Sequence, residues 1–102
     1  MRYADKKTEK LCTDEREMRR KRGDIADRLR LRIKALETAA NLGELTTHDP
    51  LGKWHPLGAN LIGLWAGKLS ANHRLLIRPE ESANPLHAVT VTVIDMSNHY
   101  GR

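Results

Sequence analysis

The chain has 102 residues, with 18 Lys and Arg against 13 Asp and Glu, and a formal net charge of +5. Its length allows one domain spanning residues 1–102. A 39% hydrophobic share with 30% charged residues excludes a disordered chain, and no run of about 20 apolar residues exists to form a transmembrane helix.

Met1 to Lys10 is polar and lacks the apolar segment of a secretory signal. The single cysteine, Cys12, has no intrachain partner for a disulfide, so a reducing cytoplasmic setting is expected. Residues 1–34 hold 13 Lys/Arg and 7 Asp/Glu, whereas residues 35–102 hold 5 and 6. A basic first third attracts polyanions such as RNA, although the interleaved acids also describe a solvated helical face. With no Phe, two Trp and two Tyr, the chain is poor in platforms for stacking single-stranded bases.

Met1 to Asp5 is long enough for a lone short strand. Lys6 to Arg22 consists mostly of good helix formers and reads as one helix, with Gly23 as its stop and Asp24 as the next N-cap. Ile25, Leu29, Ile33, Leu36 and Ala40 recur on one face of a second helix over about 25–40. Gly43 is the expected left-handed cap, and Glu44 to Asn60, with Pro50 and Pro56, reads as a loop. Leu61–Lys68, His73–Arg78 and His87–Met96 read as strands rich in Leu, Ile, Val and Thr. Leu69 to Asn72 is a short hairpin connection, and Pro79 to Pro85 a longer one. The expected fold class is α+β: a helical hairpin packed on a small antiparallel sheet, with a possible short N-terminal strand joining it.

The chemistry-bearing residues lie in the second half. The five histidines and the lone cysteine show no metal-ligand spacing, and no nucleotide-cradle or esterase motif occurs, so no metal or cofactor is implied. Alternation in His73–Arg78 turns Leu75 and Ile77 toward the helices and Arg74, Leu76 and Arg78 toward the other face. Two guanidiniums there could hold a phosphate, or be ordinary surface arginines. His55 and His99 flank the strand region and could exchange protons near neutral pH, or be loop residues. Lys68 is a further phosphate contact or a solvated strand end. Tyr100 could stack on a base or donate a proton, or fray at the terminus, and Trp65 suits packing better than stacking.

Several segments resemble the HigB-type "killer" proteins of the RelE/ParE toxin superfamily across nearly the whole chain. Lys6 to Cys12 is similar to that family's opening helix, and Arg30 to Ala40 to its second, through Ala39-Ala40-Asn41-Leu42 and Glu44-Leu45. His55-Pro56-Leu57 with Gly63-Leu64-Trp65 resembles its H-x-L-K-G-x-x-x-G-x-[WY] segment. Asn72-His73-Arg74-Leu75 resembles its N-[YW]-R-[LI] strand, and Val93 to His99 its closing strand ending in D-Y-H.

The resemblance implies a cytoplasmic toxin of a type II toxin–antitoxin pair that cleaves messenger RNA on the ribosome. The implied chemistry is metal-free attack of a ribose 2′-hydroxyl on the adjacent phosphate. It carries active-site roles onto His55, Arg74 and His99. Tyr100 joins the catalytic candidates, and Lys68 and Arg78 the RNA-binding ones, by position and chemistry. The implied partners are a helix-turn-helix, HigA-like antitoxin, mRNA and the ribosome, and operator DNA through the antitoxin complex, with no membrane partner. Gly58 replaces a family lysine, and Ser97-Asn98 replaces the family Asp-Tyr. Two alternatives stay open: a gyrase-type inhibitor of the same fold, and a non-catalytic member kept for antitoxin binding.

Overall fold

The computed structural model describes residues 1–80 and 84–98. The elements in chain order are β1 (Arg2–Tyr3), α1 (Lys6–Thr13), α2 (Glu15–Arg22), α3 (Ala26–Thr38), α4 (Leu42–His48), β2 (His55–Pro56), β3 (Trp65–Lys68), β4 (His73–Pro79) and β5 (Val91–Asn98). Among the described residues no helix is long and apolar enough to cross a membrane.

The expected first helix is two. Asp14 interrupts it: its backbone is extended, its N–H closes α1 on Lys10 O, and its carboxylate accepts the Glu17 N–H at 3.1 Å. This is N-capping, and it satisfies an otherwise orphaned donor of α2. Gly23 does end α2, but in a right-handed conformation, and α3 starts from Ile25 without a side-chain cap instead of from Asp24. The expected loop after residue 43 begins with α4. Asn41 caps that helix through Glu44 N–H at 2.8 Å, and Gly43 lies inside it instead of forming a left-handed cap. Glu44 reaches back to the Ala40 N–H at 2.8 Å, so side chains satisfy donors on both sides of the cap.

Ile25, Leu29, Ile33 and Leu36 are buried as expected, while Ala40 is exposed. They meet Leu75, Ile77, Val91 and Val93 from the sheet in one core, joined by Cys12, Met18, Leu42, Leu45, Trp54 and Leu69. Burying one such aliphatic side chain contributes roughly 1.5–3 kcal/mol. The strand order is β1-β5-β4-β3-β2. β1 runs parallel to β5, and the other pairs are antiparallel, so the sheet is mixed. The expected strand over 61–68 shortens to β3, because Ala59 to Leu61 forms a 3-10 turn. The last strand starts at Val91 and leaves Val89 exposed.

The register bulges between Leu76 and Ile77: Leu76 faces Asp95 while Ile77 faces Val93, so β5 carries one extra residue, Ile94. The bulge puts Ile94 with Leu64, Ala66 and Leu76 in a second apolar cluster, completed by Leu57 and Leu61. The face turned from the helices is therefore partly covered by the 57–64 segment, not open along its whole length.

Candidate active site

Cross-strand register assembles the site. Lys68 pairs with Arg74, and Arg74 with Ser97, which makes one row across β3, β4 and β5. Directly opposed side chains share a face with Cβ atoms about 5 Å apart. Arg74 is half-buried, and its Nε donates to Ser97 Oγ at 3.2 Å. That bond fixes the guanidinium while its two terminal nitrogens make no hydrogen bond among the described residues. Lys68 and Arg74 are like charges placed opposite each other, which costs stability. Among the described residues neither has an acid within ion-pair distance. Such a pair suits a bound anion.

His55 lies opposite Ala66, two residues along β3 from Lys68 and on the same face. Its ring is exposed, and Nδ1–H donates to the Lys53 carbonyl at 2.8 Å. A carbonyl only accepts, so in the neutral ring the proton sits on Nδ1 and the Nε2 lone pair is free to take a proton. Lys53, which supplies that carbonyl, is held at φ +46, in the left-handed region that non-glycine residues rarely enter.

Arg78 is on the same face as Arg74 but further along. Four residues of strand separate the two by about 13 Å, with buried Leu76 and its cluster between them. Leu76 and its cluster stand between the two arginines, so they do not lie side by side on the strand. Arg78 instead borders a broad cavity of about 850 Å³ with Trp65, Ile62 and Pro85. Trp65 also packs against the main core, in keeping with its expected packing role. His99 and Tyr100 lie outside the described residues.

Three contributors escape the sequence reading. Ser97, seen there only as the replacement of an acid, is the residue that holds Arg74. Lys53 orients His55. Arg32, on the buried side of α3 and only 5% exposed, donates from Nε to Lys68 O at 2.9 Å and from Nη1 to Asp49 Oδ1 at 3.1 Å. Asp49 also accepts the Trp54 indole N–H at 2.9 Å. The indole lies on Gly67, where an added Cβ would meet the ring at 2.5 Å. This network ties α3 to the end of β3 and so places Lys68. A charge in the middle of an amphipathic repeat was the available signal for Arg32, and a helix-breaking proline corner after Asp49 hides its partner.

No family model matches the chain, and no curated protein matches it. Among solved structures the chain is similar to the YoeB/ParE toxin from Agrobacterium tumefaciens, at 23% sequence identity. The match covers 85% of this chain and 87% of that one, with a TM-score of 0.56. The likeness extends over most of both chains and shows that the molecule has the RelE/ParE-like α+β fold.

Proposed function

We propose that this protein is the toxin of a type II toxin–antitoxin pair and that it cleaves messenger RNA, on the ribosome, without a metal. The observation that carries the proposal is the arrangement on the sheet face: Arg74 held by Ser97, Lys68 opposite it without a countercharge among the described residues, and His55 on neighbouring β2, opposite Ala66, with Nε2 free. The shared fold with a YoeB/ParE toxin supports the toxin half of the reading and an antitoxin as partner. The helix-turn-helix type of antitoxin, and operator binding by the pair, follow from the HigB-type resemblance.

In this scheme His55 Nε2 takes the proton of a ribose 2′-hydroxyl. The 2′-oxygen attacks the adjacent phosphorus, and the bond from phosphorus to the 5′-oxygen breaks. The products are a 2′,3′-cyclic phosphate and a 5′-hydroxyl. His99 or Tyr100 supplies the proton to the leaving oxygen. Arg74, already oriented by Ser97, and Lys68 stabilise the extra negative charge on the phosphoryl oxygens. Arg78, about 13 Å from Arg74, takes a different phosphate of the strand. Gly58 and Ser97 stand where the resemblance expects a lysine and an acid, so cation and acid roles fall on Lys68 and on the residues after Asn98.

The test is induced expression in bacteria of the wild type beside Arg74→Ala and His99→Ala, with primer extension on an abundant transcript. Arg74→Ala removes one hydrogen bond at a half-buried site and no core packing, so it should fold. We expect growth arrest and new RNA ends from the wild type, with cleavage down by about 100-fold or more in Arg74→Ala, as for loss of an oriented charge-stabilising donor. Arrest without new ends would point to a gyrase-type inhibitor. Absence of arrest from folded wild-type protein would point to a binding module.

A further inference from the structure

A cleft of about 500 Å³ opens beside the proposed site, between α3, the Pro50–Gly52 corner and the β3–β4 turn. Arg28, Arg32, Lys53 and Lys68 line it, with Leu51 and Ser70, and among the described residues no acid contributes to its lining. Arg32 is the built part. It is 5% exposed, its Nε and Nη1 are engaged, and Nη2 makes no hydrogen bond among the described residues, yet is not enclosed as a buried unpaired atom. Arg32 lines the cleft, and Nη2 is the nitrogen of its fixed guanidinium that is left without a hydrogen bond among the described residues. Asp49 neutralises Arg32, which leaves Arg28, Lys53 and Lys68 as three cations without an ion pair among the described residues. Lys53 keeps a left-handed backbone at φ +46 that a glycine would adopt more readily.

The cleft adjoins the sheet-face row at two points. Lys68 stands opposite Arg74 on that row and also lines the cleft, and Lys53 lines the cleft while its carbonyl holds His55. We infer that the cleft is a second phosphate subsite, which takes a backbone phosphate next to the scissile one as a single RNA strand passes over the end of β3. The inference rests on the ribonuclease reading of the sheet face. An unpaired, acid-free set of cations around a fixed guanidinium is the arrangement that binds a phosphodiester oxygen. The Arg32 and Lys53 side chains act here as binding groups and transfer no proton themselves.

Binding of a 2′-O-methyl RNA oligonucleotide, which lacks the attacking hydroxyl, separates this inference from cleavage. Affinity is read by fluorescence anisotropy between about 50 and 200 mM salt, the range in which phosphate binding is titrated out. Each phosphate that the protein neutralises on a single strand contributes about 0.7 to the steepness of log affinity against log salt. The double variant Arg28→Gln, Lys53→Gln changes two exposed side chains and should fold, as circular dichroism will verify. We expect its slope to be shallower by about 0.7, the share of one phosphate, while Arg20→Gln, Lys21→Gln, whose cations are already ion-paired, leaves the slope unchanged. A wild-type slope in the folded cleft variant overturns the inference even if the protein cleaves RNA. A shallower slope in a protein that never cleaves upholds the subsite and removes the ribonuclease reading alone. Inorganic phosphate is the remaining probe. If it perturbs the Lys53 and Ser70 amide resonances while the oligonucleotide slope stays at the wild-type value, the cleft is a small-anion site and the RNA assignment falls.

Discussion

The basic residues of α2 and those around the end of β3 differ in what they already hold. On α2, Arg19 is paired with Glu15 and Asp27, Arg20 and Lys21 with Glu17, and Arg22 with Asp24. Arg30 on α3 adds to the same network through Glu15 and Asp27. Around β3, Lys53, Lys68 and Arg74 have no such partner among the described residues, although the second half of the chain is the less basic by composition. Counting charges along the chain therefore does not tell paired cations from unpaired ones. A helix offers its cations acids three and four residues away, whereas an antiparallel sheet sets residues opposite each other from distant parts of the chain. Here the sheet sets lysine against arginine, which leaves their charge available to a ligand.

The contrast is sharpest between the α2 pairs and the buried pair Arg32–Asp49, whose side chains are 6% and 13% exposed. Removing one member of a buried pair strands the other charge. Arg32→Ala should cost about 3–5 kcal/mol of folding stability, a large part of the total for a domain of this size. Urea denaturation at neutral pH measures it, and a loss under about 1 kcal/mol would show Asp49 to be rehydrated, removing the distinction between this pair and the surface ones. A smaller effect is expected one layer away. Gly67→Ala pushes a methyl into the Trp54 ring and should cost roughly 1–3 kcal/mol. Trp54→Leu in the same background should recover part of that loss. If the two changes are additive, Trp54 does not hold the Arg32–Asp49 wall against β3.

The same contrast explains what the sequence could disclose. The four-, four- and three-residue spacing of Ile25, Leu29, Ile33 and Leu36 located α3, and the alternation in β4 located the face that carries Arg74. Both are local periods, visible without knowing any tertiary contact. The breaks at Asp14 and Asn41 were also local: each is followed three residues later by a glutamate, the pattern of a capped N-terminus. Gly43 outweighed that pattern in the sequence and does not in the structure, because one glycine in a short helix is a tolerable cost once Leu42 and Leu45 are buried. The site itself was half legible. Arg74, Lys68 and His55 could be named as residues, but Ser97 as the holder of Arg74 depends on a register 23 residues apart. The bulge at Ile94 and the covering of Leu76 that separates Arg78 from Arg74 are likewise products of long-range packing.

The smallest expected effect lies on α2 and concerns pH. Arg20 and Lys21 hydrogen-bond the Glu17 carboxylate and hold its pKa down, from 4.5 to about 2. A carboxylate whose pKa is lower in the folded state stabilises the fold above its unfolded value, and that contribution is lost as pH falls through the folded one. Melting temperature should therefore decline between pH 4.5 and about 2 more steeply in the wild type than in Glu17→Gln. At 1 M salt the two profiles should converge, because these side chains meet solvent and their attraction is screened. The alkaline side runs the other way and does not involve α2. Burial raises the Cys12 thiol and the Tyr3 hydroxyl, each to about 12, so both favour the fold while protonated. Stability should then fall as pH rises above about 9, the usual range of a free thiol, toward 12. Glu17→Gln should leave that alkaline limb unchanged, since Glu17 stays ionised throughout it. A change there would mean that the α2 pairs support the packing of α1 on the sheet, and that the paired cations do more for the fold than their exposure implies.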